Sequence, residues 1–402
     1  MKFSELDGKR VALWGLGRET QAFKAQAEQR LSGAGITATI DDSTPEQEAR
    51  AALAAADVLV RSPGVSIYKP LIKEARANGT IVTTATGLWM AEREGHHVIG
   101  VTGTKGKSTT ATVIAHLLTQ IAPTELAGNI GRPVIELLDL PRETWVVCEL
   151  SSYQIADLRT GPEVAVLTNL SREHTDWHRC EEQYRADKLR IFELPGVRAA
   201  VRPLGDRGGW PLVVPQEQIP LRGRHNAENV ACACAAIEAA GFAVPPLPQA
   251  LEGLTALPHR LQTVHTSDGG IEWVDDSIST TPESTIAALD AFADRPVVLI
   301  AGGSERDQDY GALGLALARR EAETHLVLLP DTGARLGDAA ASRGFGVDRM
   351  SPAGDMQEAT RLAARLAREG GVVLLSPAAP SFNQYANFEE RGEHFATLAL
   401  RA

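Results

Sequence analysis

At 402 residues, with 44% hydrophobic and 23% charged residues, the chain has the length and apolar content of two or three globular domains, which excludes the disordered and low-complexity classes. A net charge of −11 gives no global attraction for nucleic acid, so an anionic substrate has to be held by local basic groups. No apolar run reaches the length of a bilayer span, Met1 to Arg10 carries no apolar leader core, and Cys148, Cys180, Cys232 and Cys234 lack zinc-site spacing; the expectation is a cytoplasmic protein with reduced thiols.

In chain order, Lys9 to Leu16 predicts a strand ending in Gly15-Leu-Gly17, then a helix to about Leu31 and a second strand, Thr37 to Ile40, ending at Asp41. This is the start of a Rossmann-like βαβ unit. Thr20 stands where the dinucleotide fingerprint wants its third glycine, so a different nucleotide or a purely structural turn competes with a nicotinamide cofactor. Val58 to Val60 is a further strand running into Ser62-Pro63-Gly64, a turn at the carboxyl end of a parallel sheet. Polar residues at Glu92 to Gly95 close this first domain, expected to span 1–93.

His97 to Val101 predicts a buried strand and Ala111 to Leu118 has helical spacing. Between them lies Thr102-Gly103-Thr104-Lys105-Gly106-Lys107-Ser108-Thr109, a phosphate loop in form. Its glycines admit phosphate oxygens to backbone N–H groups, the helix start adds a positive end, Lys107 supplies a point charge, and Ser108 or Thr109 can bind Mg²⁺. Val101 stands where the strict signature has glycine, so the loop is a variant of it. Trp145 to Cys148 predicts a strand that delivers Glu149, placed to hold Mg²⁺ beside such a loop. Val164 to Leu167 predicts another, leading to Glu173 and His174, a second candidate metal or substrate contact. Lys188 lies near the end of a helix predicted over Tyr184 to Phe192, and Asn226 and Asn229 share one face of the helix Ala227 to Ala240.

Around Leu257-Pro-His259-Arg260 the pattern changes, and a boundary is placed there between a central domain, 94–258, and a third, 259–402. The last domain alternates strands (Leu261 to Val264, Ile271 to Val274, Val297 to Ala301, Thr324 to Leu329, Gly371 to Leu375) with helices (Pro282 to Phe292, Leu313 to Arg320, Asp355 to Glu369), which predicts α/β with a mostly parallel sheet. Its loops after strands carry Asp275 to Pro282, Gly302 to Tyr310, and Ser376 to Gly392.

Taken together these stretches resemble the Mur ligases, ATP-dependent amide-forming enzymes of peptidoglycan precursor synthesis. Within that family they resemble the MurD type, which adds glutamate to UDP-N-acetylmuramoyl-L-alanine. The matching residues are Thr102 to Thr109, Gly128-Asn-Ile-Gly131, Glu149-Leu-Ser-Ser152, Glu173-His174, Lys188-Leu-Arg190, Leu257 to Arg260, Asp276-Ser277 and the Ser376 to Gly392 run. The resemblance implies three domains: a Rossmann-like one for the uridine nucleotide, a central P-loop ATPase-type one, and a C-terminal α/β one that presents glutamate. It implies uridine-nucleotide contacts at Gly15, Gly17, Arg18, Asp41, Ser62, Pro63, Gly64 and Asn129. ATP would meet Gly103, Thr104, Lys105, Gly106, Lys107, Ser108, Thr109, Asn229, Arg260 and Asp276. Two Mg²⁺ sites would draw on Ser108, Thr109, Glu149, His174 and a carbamylated Lys188, with Lys107, Glu149, His174 and Lys188 as the catalytic set. Glutamate would meet Thr280, Arg306, Ser381 and Phe388. The substrates are the partners expected of a monomeric cytoplasmic enzyme, with no membrane or nucleic acid involved.

Departures from the usual MurD pattern fall in the third domain: Ile278 replaces a lysine, Glu305-Arg306-Asp307 replaces Asp-Arg-Gly, and Pro380 and Asn383 alter the late motif. They resemble more the divergent ligases that add L-glutamate; an ordinary D-glutamate enzyme is the alternative. A nicotinamide oxidoreductase would leave the phosphate loop and Lys188 without a role, a non-catalytic nucleotide-binding protein would tolerate losses that are not seen, and folate polyglutamation would not account for the N-terminal domain.

Overall fold

The computed structural model describes residues 1–32, 35–171, 175–204 and 209–402, with backbone alone at 175 and 176. It forms two compact units, Met1–Gln218 with Ala227–Glu252, and Ile219–Asn226 with Gly253–Ala402. The chain is α/β throughout.

The first unit holds two parallel sheets. Strands β1 (Arg10–Trp14), β2 (Gly35–Ile40), β3 (Val58–Arg61) and β4 (Ile81–Thr83) lie in the order β2-β1-β3-β4. Strands β5 (Val98–Thr102), β6 (Thr124–Gly128), β7 (Trp145–Glu149), β8 (Val164–Leu167) and β9 (Ala199–Val201) lie in the order β6-β7-β5-β8-β9. Parallel strands are covered on both faces, so they read as unbroken apolar runs; Val98 to Val101 and Val164 to Leu167 are buried at every position. One buried cluster passes from Phe3, Leu13 and Val60 through Leu88, Trp89 and Met90 to Val98, Val146 and Cys148. At about 1.5–3 kcal/mol per fully buried large apolar side chain, that shared core welds the two sheets into one unit.

In the second unit, β10 (Gln262–Ser267), β11 (Ile271–Asp275), β12 (Val297–Gly303), β13 (Thr324–Asp331), β14 (Met350–Pro352) and β15 (Val372–Leu375) lie in the order β10-β11-β15-β12-β13-β14, antiparallel only between β10 and β11. The period of two sorts its side chains into two cores: Val297, Leu299, Val372 and Leu374 face one way, Val298, Ile300, Val373 and Leu375 the other.

Two expectations are corrected. The helix expected from Ala111 begins at Lys107; its first turn is polar, so apolar spacing shows only beyond it. The run Ser376 to Gly392, read as a loop, ends at Asn387, and Phe388–Ala399 is a helix. Asn387 caps it by accepting from Glu390 N at 2.8 Å, which stabilises a helix start by about 1 kcal/mol.

Candidate active site

Strand β5 sits at the centre of its sheet, where the chain order reverses, so its carboxyl end opens onto a crevice flanked by β7 and β8. Two positive-φ glycines shape the turn that follows, Gly103 at +154° and Gly106 at +77°. A Cβ on Gly103 would stand 1.8 Å from Thr168 Oγ1 and one on Gly106 2.4 Å from Asn229 Oδ1, so both positions exclude side chains by contact as well as by backbone angle. The turn is held before any ligand arrives. Lys105 N donates to Asn169 Oδ1 at 2.9 Å, and Lys105 O accepts from Thr168 Oγ1 at 2.6 Å and Asn169 Nδ2 at 3.0 Å. Thr104 Oγ1 accepts from Ser171 N at 2.9 Å and meets the Tyr184 hydroxyl at 2.8 Å. Lys107 Nζ donates to Thr104 O at 3.0 Å, across the top of the turn. A phosphate binding here spends little on ordering the loop.

Glu149 ends β7 opposite Val101, the residue that leads into the turn. Its side chain is 1% exposed; Oε1 accepts from Asn129 Nδ2 at 2.9 Å, and Oε2 is buried with no partner among the described residues. Thr109 Oγ1, in the first turn of the helix, is likewise buried and has no partner among the described residues. An unpaired buried oxygen costs about 1–3 kcal/mol. Two beside a phosphate turn fit Mg²⁺, a hard cation that takes oxygen ligands. Among the described residues no three of His, Cys, Asp and Glu converge, so hydroxyl, phosphate and water oxygens would complete such a site. Lys188 is 2% exposed and donates to Gly103 O at 2.6 Å, with Nζ 5.0 Å from the Tyr184 ring centre. Glu173 and His174 lie outside the described residues.

Gly15 N donates to Ile40 O and Ser62 N to Trp14 O, both at 2.8 Å, which draws the loops after β1 and β3 together at the switch point of the first sheet. Arg18 donates to Asn129 O at 2.8 Å. Asn129 thus touches both the Gly15–Gly17 loop, through Arg18, and Glu149. Asp41 is exposed, and its Oδ1 accepts from Ser43 and Thr44, which lowers its pKa. Arg61 escaped the sequence reading. It is fully buried, donates to Ser62 O, Pro63 O and Val65 O, and pairs through Nε and NH2 with Asp157 at 2.9 and 2.7 Å. The shape of the Ser62–Gly64 turn is therefore set by a guanidinium whose carboxylate partner lies 96 residues away.

In the second unit, the loops bearing Thr280, Ser381 and Arg306 follow the adjacent strands β11, β15 and β12. Ala378 N donates to Ser279 O at 3.0 Å, Ser304 N to Pro380 O at 2.8 Å and Gln308 Nε2 to Thr280 O at 2.8 Å. Arg391, 1% exposed, binds Ser277 Oγ and O at 2.9 and 2.8 Å and Ala379 O at 3.0 Å; burial lowers its pKa to about 10. Only its position in the Ser376 to Gly392 run marked it in the sequence. Ser381 is buried, Thr280 and Phe388 are half-buried and Arg306 is exposed. Asp276 accepts from Leu261 N at 3.2 Å and Ser376 Oγ at 2.8 Å; burial raises its pKa to about 6, against hydrogen bonds from Ser279 and Ser376 and the charge of Arg260. The Nε of Arg260 is buried and without a hydrogen-bond partner. Burial, helped by Arg260, lowers His225 to about 4.

Residues 101–207 match the sequence model of the Mur ligase middle domain, and residues 259–379 that of the Mur ligase, glutamate ligase domain. The chain is 38% identical to the UDP-N-acetylmuramoyl-L-alanine--L-glutamate ligase of a Micromonospora species over 98% of this chain and 97% of that protein. It is 39% identical to the one from Salinispora tropica, over 98% of each, and 38% identical to that of Xanthomonas euvesicatoria pv. vesicatoria, over 99% and 97%. Among solved structures, MurF from Acinetobacter baumannii superposes with a TM-score of 0.60 at 18% identity, covering 100% of this chain and 93% of that one. MurC from Thermotoga maritima gives 0.57 at 18%, covering 98% and 99%. The bifunctional folylpolyglutamate synthase/dihydrofolate synthase of Yersinia pestis gives 0.52 at 16%, covering 78% and 93%. At these identities the likeness to solved structures is one of fold.

Proposed function

The chain belongs to the Mur ligase family, and on that premise we propose that it joins glutamate to UDP-N-acetylmuramoyl-L-alanine with ATP as the driving substrate. It is an ATP-dependent acid–amino-acid ligase of peptidoglycan synthesis. The observation that carries the reading of the site is the pairing of a preformed phosphate turn with a buried carboxylate, Glu149, whose second oxygen has no partner among the described residues.

The chemistry uses what the first unit supplies. The γ-phosphoryl group passes from ATP to the alanyl carboxylate, giving an acyl phosphate and ADP. Two anions have to meet for that, and Lys107 together with the N–H groups of the turn offsets their repulsion. Mg²⁺, held by Glu149 with Ser108 or Thr109, would neutralise charge on the transferring phosphate. The amine of glutamate, once deprotonated, then attacks the acyl carbon, and phosphate leaves from the tetrahedral intermediate. In this reading Arg260, Asp276 and Asn229 hold the adenosine end; Arg18, Asp41 and the Ser62–Gly64 turn hold the uridine nucleotide; Thr280, Arg306, Ser381 and Phe388 hold glutamate.

Lys188 is read as carbamylated: its neutral amine adds CO₂ and loses one proton, which turns a cation into an anion with two oxygens suited to Mg²⁺. The remaining N–H can still reach Gly103 O. Domain limits near 93/94 and 258/259 separate the three sheets. The substrate is water-soluble and, among the described residues, no helix is long and apolar enough to cross a membrane; both support a cytoplasmic enzyme, which we take to act as a monomer. L-Glutamate is the preferred amino acid, on the strength of Ile278 and of relatives named for that isomer. The deciding assay is ATP hydrolysis in the presence of UDP-N-acetylmuramoyl-L-alanine, with and without glutamate. Phosphate release that needs both substrates is expected; release indifferent to the uridine nucleotide would refute the reading.

A further inference from the structure

Four polar side chains with no part in the chemistry above, Tyr68, Asp187, His178 and Ser152, are joined end to end inside the first unit. The Tyr68 hydroxyl lies 2.8 and 2.7 Å from the two carboxylate oxygens of Asp187, Gln183 Nε2 donates to the same carboxylate at 2.8 Å, and His178 Nδ1 meets it at 2.7 Å. Asp187 is the acceptor for each of these groups, so Nδ1 carries a proton. At the other side of the ring, Nε2 meets Ser152 Oγ at 2.9 Å. The sequence Ser152, His178, Asp187 has the connectivity of a nucleophilic triad. Yet Ser152 is 3% exposed, His178 0% and Asp187 5%, so an acyl group has no access to that hydroxyl.

Each end of the chain reaches a part of the active site. Ser152 lies three residues beyond Glu149, and its neighbour Ser151 caps the short helix that starts there. Asp187 directly precedes Lys188 in the same helix. Tyr68 follows the Ser62–Gly64 turn, and Trp177, next to His178, ties that turn in by donating from Nε1 to Gly64 O at 3.0 Å while its carbonyl accepts from Ser66 Oγ at 2.8 Å. The His178 ring also packs 5.4 Å from Tyr184, whose hydroxyl touches Thr104 in the phosphate turn. Buried networks of this kind have two arrangements, formed or broken, because a partly satisfied carboxylate is costly.

We infer that His178 and Asp187 are a positioning pair for the ligase reaction: with Tyr68 and Ser152 they set the Glu149 strand end and the Lys188 helix in register with the turn that receives the uridine nucleotide. The inference rests on the function proposed above. Ser152, His178 and Asp187 are at most 5% exposed, so the pair acts through Glu149, Lys188 and the turn.

Two mild variants test it in the full-length enzyme. Tyr68→Phe removes one hydroxyl, and His178→Asn keeps a donor for Asp187 but loses the partner of Ser152. Each is expected to keep the parent melting temperature within a few degrees and KM for ATP within about threefold, while kcat falls roughly tenfold or more, since small misplacements of reacting groups are costly in rate. Because both cut one chain, the double variant should be no slower than the slower single variant. Singles that keep kcat within about twofold, losses that multiply in the double variant, or a loss of activity explained wholly by a lower melting temperature would each overturn the inference. A parent enzyme that shows no glutamate-dependent turnover would instead overturn the proposed function, and the inference with it.

Discussion

Asn129 and Glu149 are bound to each other twice: the side-chain amide of Asn129 donates to Glu149 Oε1, and its backbone N–H donates to the Glu149 carbonyl, both at 2.9 Å. One carboxylate oxygen is thereby committed, and Oε2 meets no donor among the described residues. Glu149→Gln can keep the first bond through its amide oxygen while replacing the unpartnered oxygen by an N–H₂. We expect kcat to fall about 10²-fold or more with the melting temperature hardly changed. A Mg²⁺ titration of activity checks it: an unaltered half-saturating concentration and rate would remove Glu149 from the metal site.

Lys107 makes a separate prediction. Its ammonium is half-buried and donates to Thr104 O, within the turn it would share with the migrating phosphoryl group. Lys107→Ala should cost several kcal/mol of transition-state stabilisation, a loss of order 10²-fold or more, without unfolding the chain. Normal turnover in a well-folded variant would exclude the phosphate turn from the mechanism.

Which of these features could be read from the sequence follows from their physics. Central strands such as Val98–Thr102 and Val372–Leu375 are buried on both faces and stand out as apolar runs. The strands that escaped, Ile81–Thr83, Thr124–Gly128, Ala199–Val201 and Met350–Pro352, all lie at sheet edges, where they are partly exposed. The phosphate turn was legible because its residues are contiguous. Arg61, Tyr68 and Asp187 were not, since each is paired with a residue remote in the chain, as Tyr68 is with Asp187, 119 residues on; His178, nine residues before Asp187, sits in no recognisable motif. Asn387 with Glu390 did carry a helix-start signal, but the surrounding Pro and Ser residues masked it.

Lys188 as a carbamate predicts a dependence on dissolved CO₂. Lys188→Ala should lose activity and regain part of it with a small carboxylate such as acetate, which supplies oxygens to the space the side chain vacates; Lys188→Arg should not be rescued. The side chain is 2% exposed, so rescue should saturate, as binding in a confined site does. Intact-mass measurement of an active preparation showing only the unmodified amine would rule the carbamate out.

The adenosine-binding role proposed for Asp276 predicts a pH dependence of ATP binding. Burial raises its carboxyl from 3.8 to about 6, so between those values the folded chain holds a proton that the unfolded chain has released. Stability therefore declines as pH climbs through that window, by about 3 kcal/mol in all, and this contribution is greatest below it. Only the ionised form is purely an acceptor for ribose hydroxyls. KM for ATP should accordingly rise as pH falls below about 6, and Asp276→Asn should flatten that limb while raising KM at neutral pH. A variant profile that follows the parent would show that another group sets it.

The choice of glutamate isomer is the sharpest test of the second unit. Both enantiomers carry the same charges, so selection has to come from where cation and hydroxyls stand. Arg306 is exposed, and the neighbouring Glu305 is engaged by Arg335 and by the N–H groups of Arg306 and Asp307, which leaves the guanidinium to hold one carboxylate. Thr281 is committed to capping the helix Pro282–Asp290, while Thr280, its carbonyl fixed by Gln308, is the loop hydroxyl proposed to meet substrate. Ser381 is buried on the adjacent loop, and Phe388, edge-on to His259 at 6.0 Å, can wall the methylenes. Ile278 supplies no charge where the usual pattern has a lysine, and with it we expect the carboxylate placement of L-glutamate to be favoured when the amine faces the acyl phosphate. A discrimination of about 10²-fold needs only about 2.7 kcal/mol, within reach of one misplaced charged hydrogen bond. We therefore expect kcat/KM to be at least that much higher for L- than for D-glutamate, and Arg306→Ala to raise KM for glutamate while leaving KM for ATP unchanged. A clear preference for the D isomer would refute the reading of the loop at 276–282 and leave the ligase assignment standing.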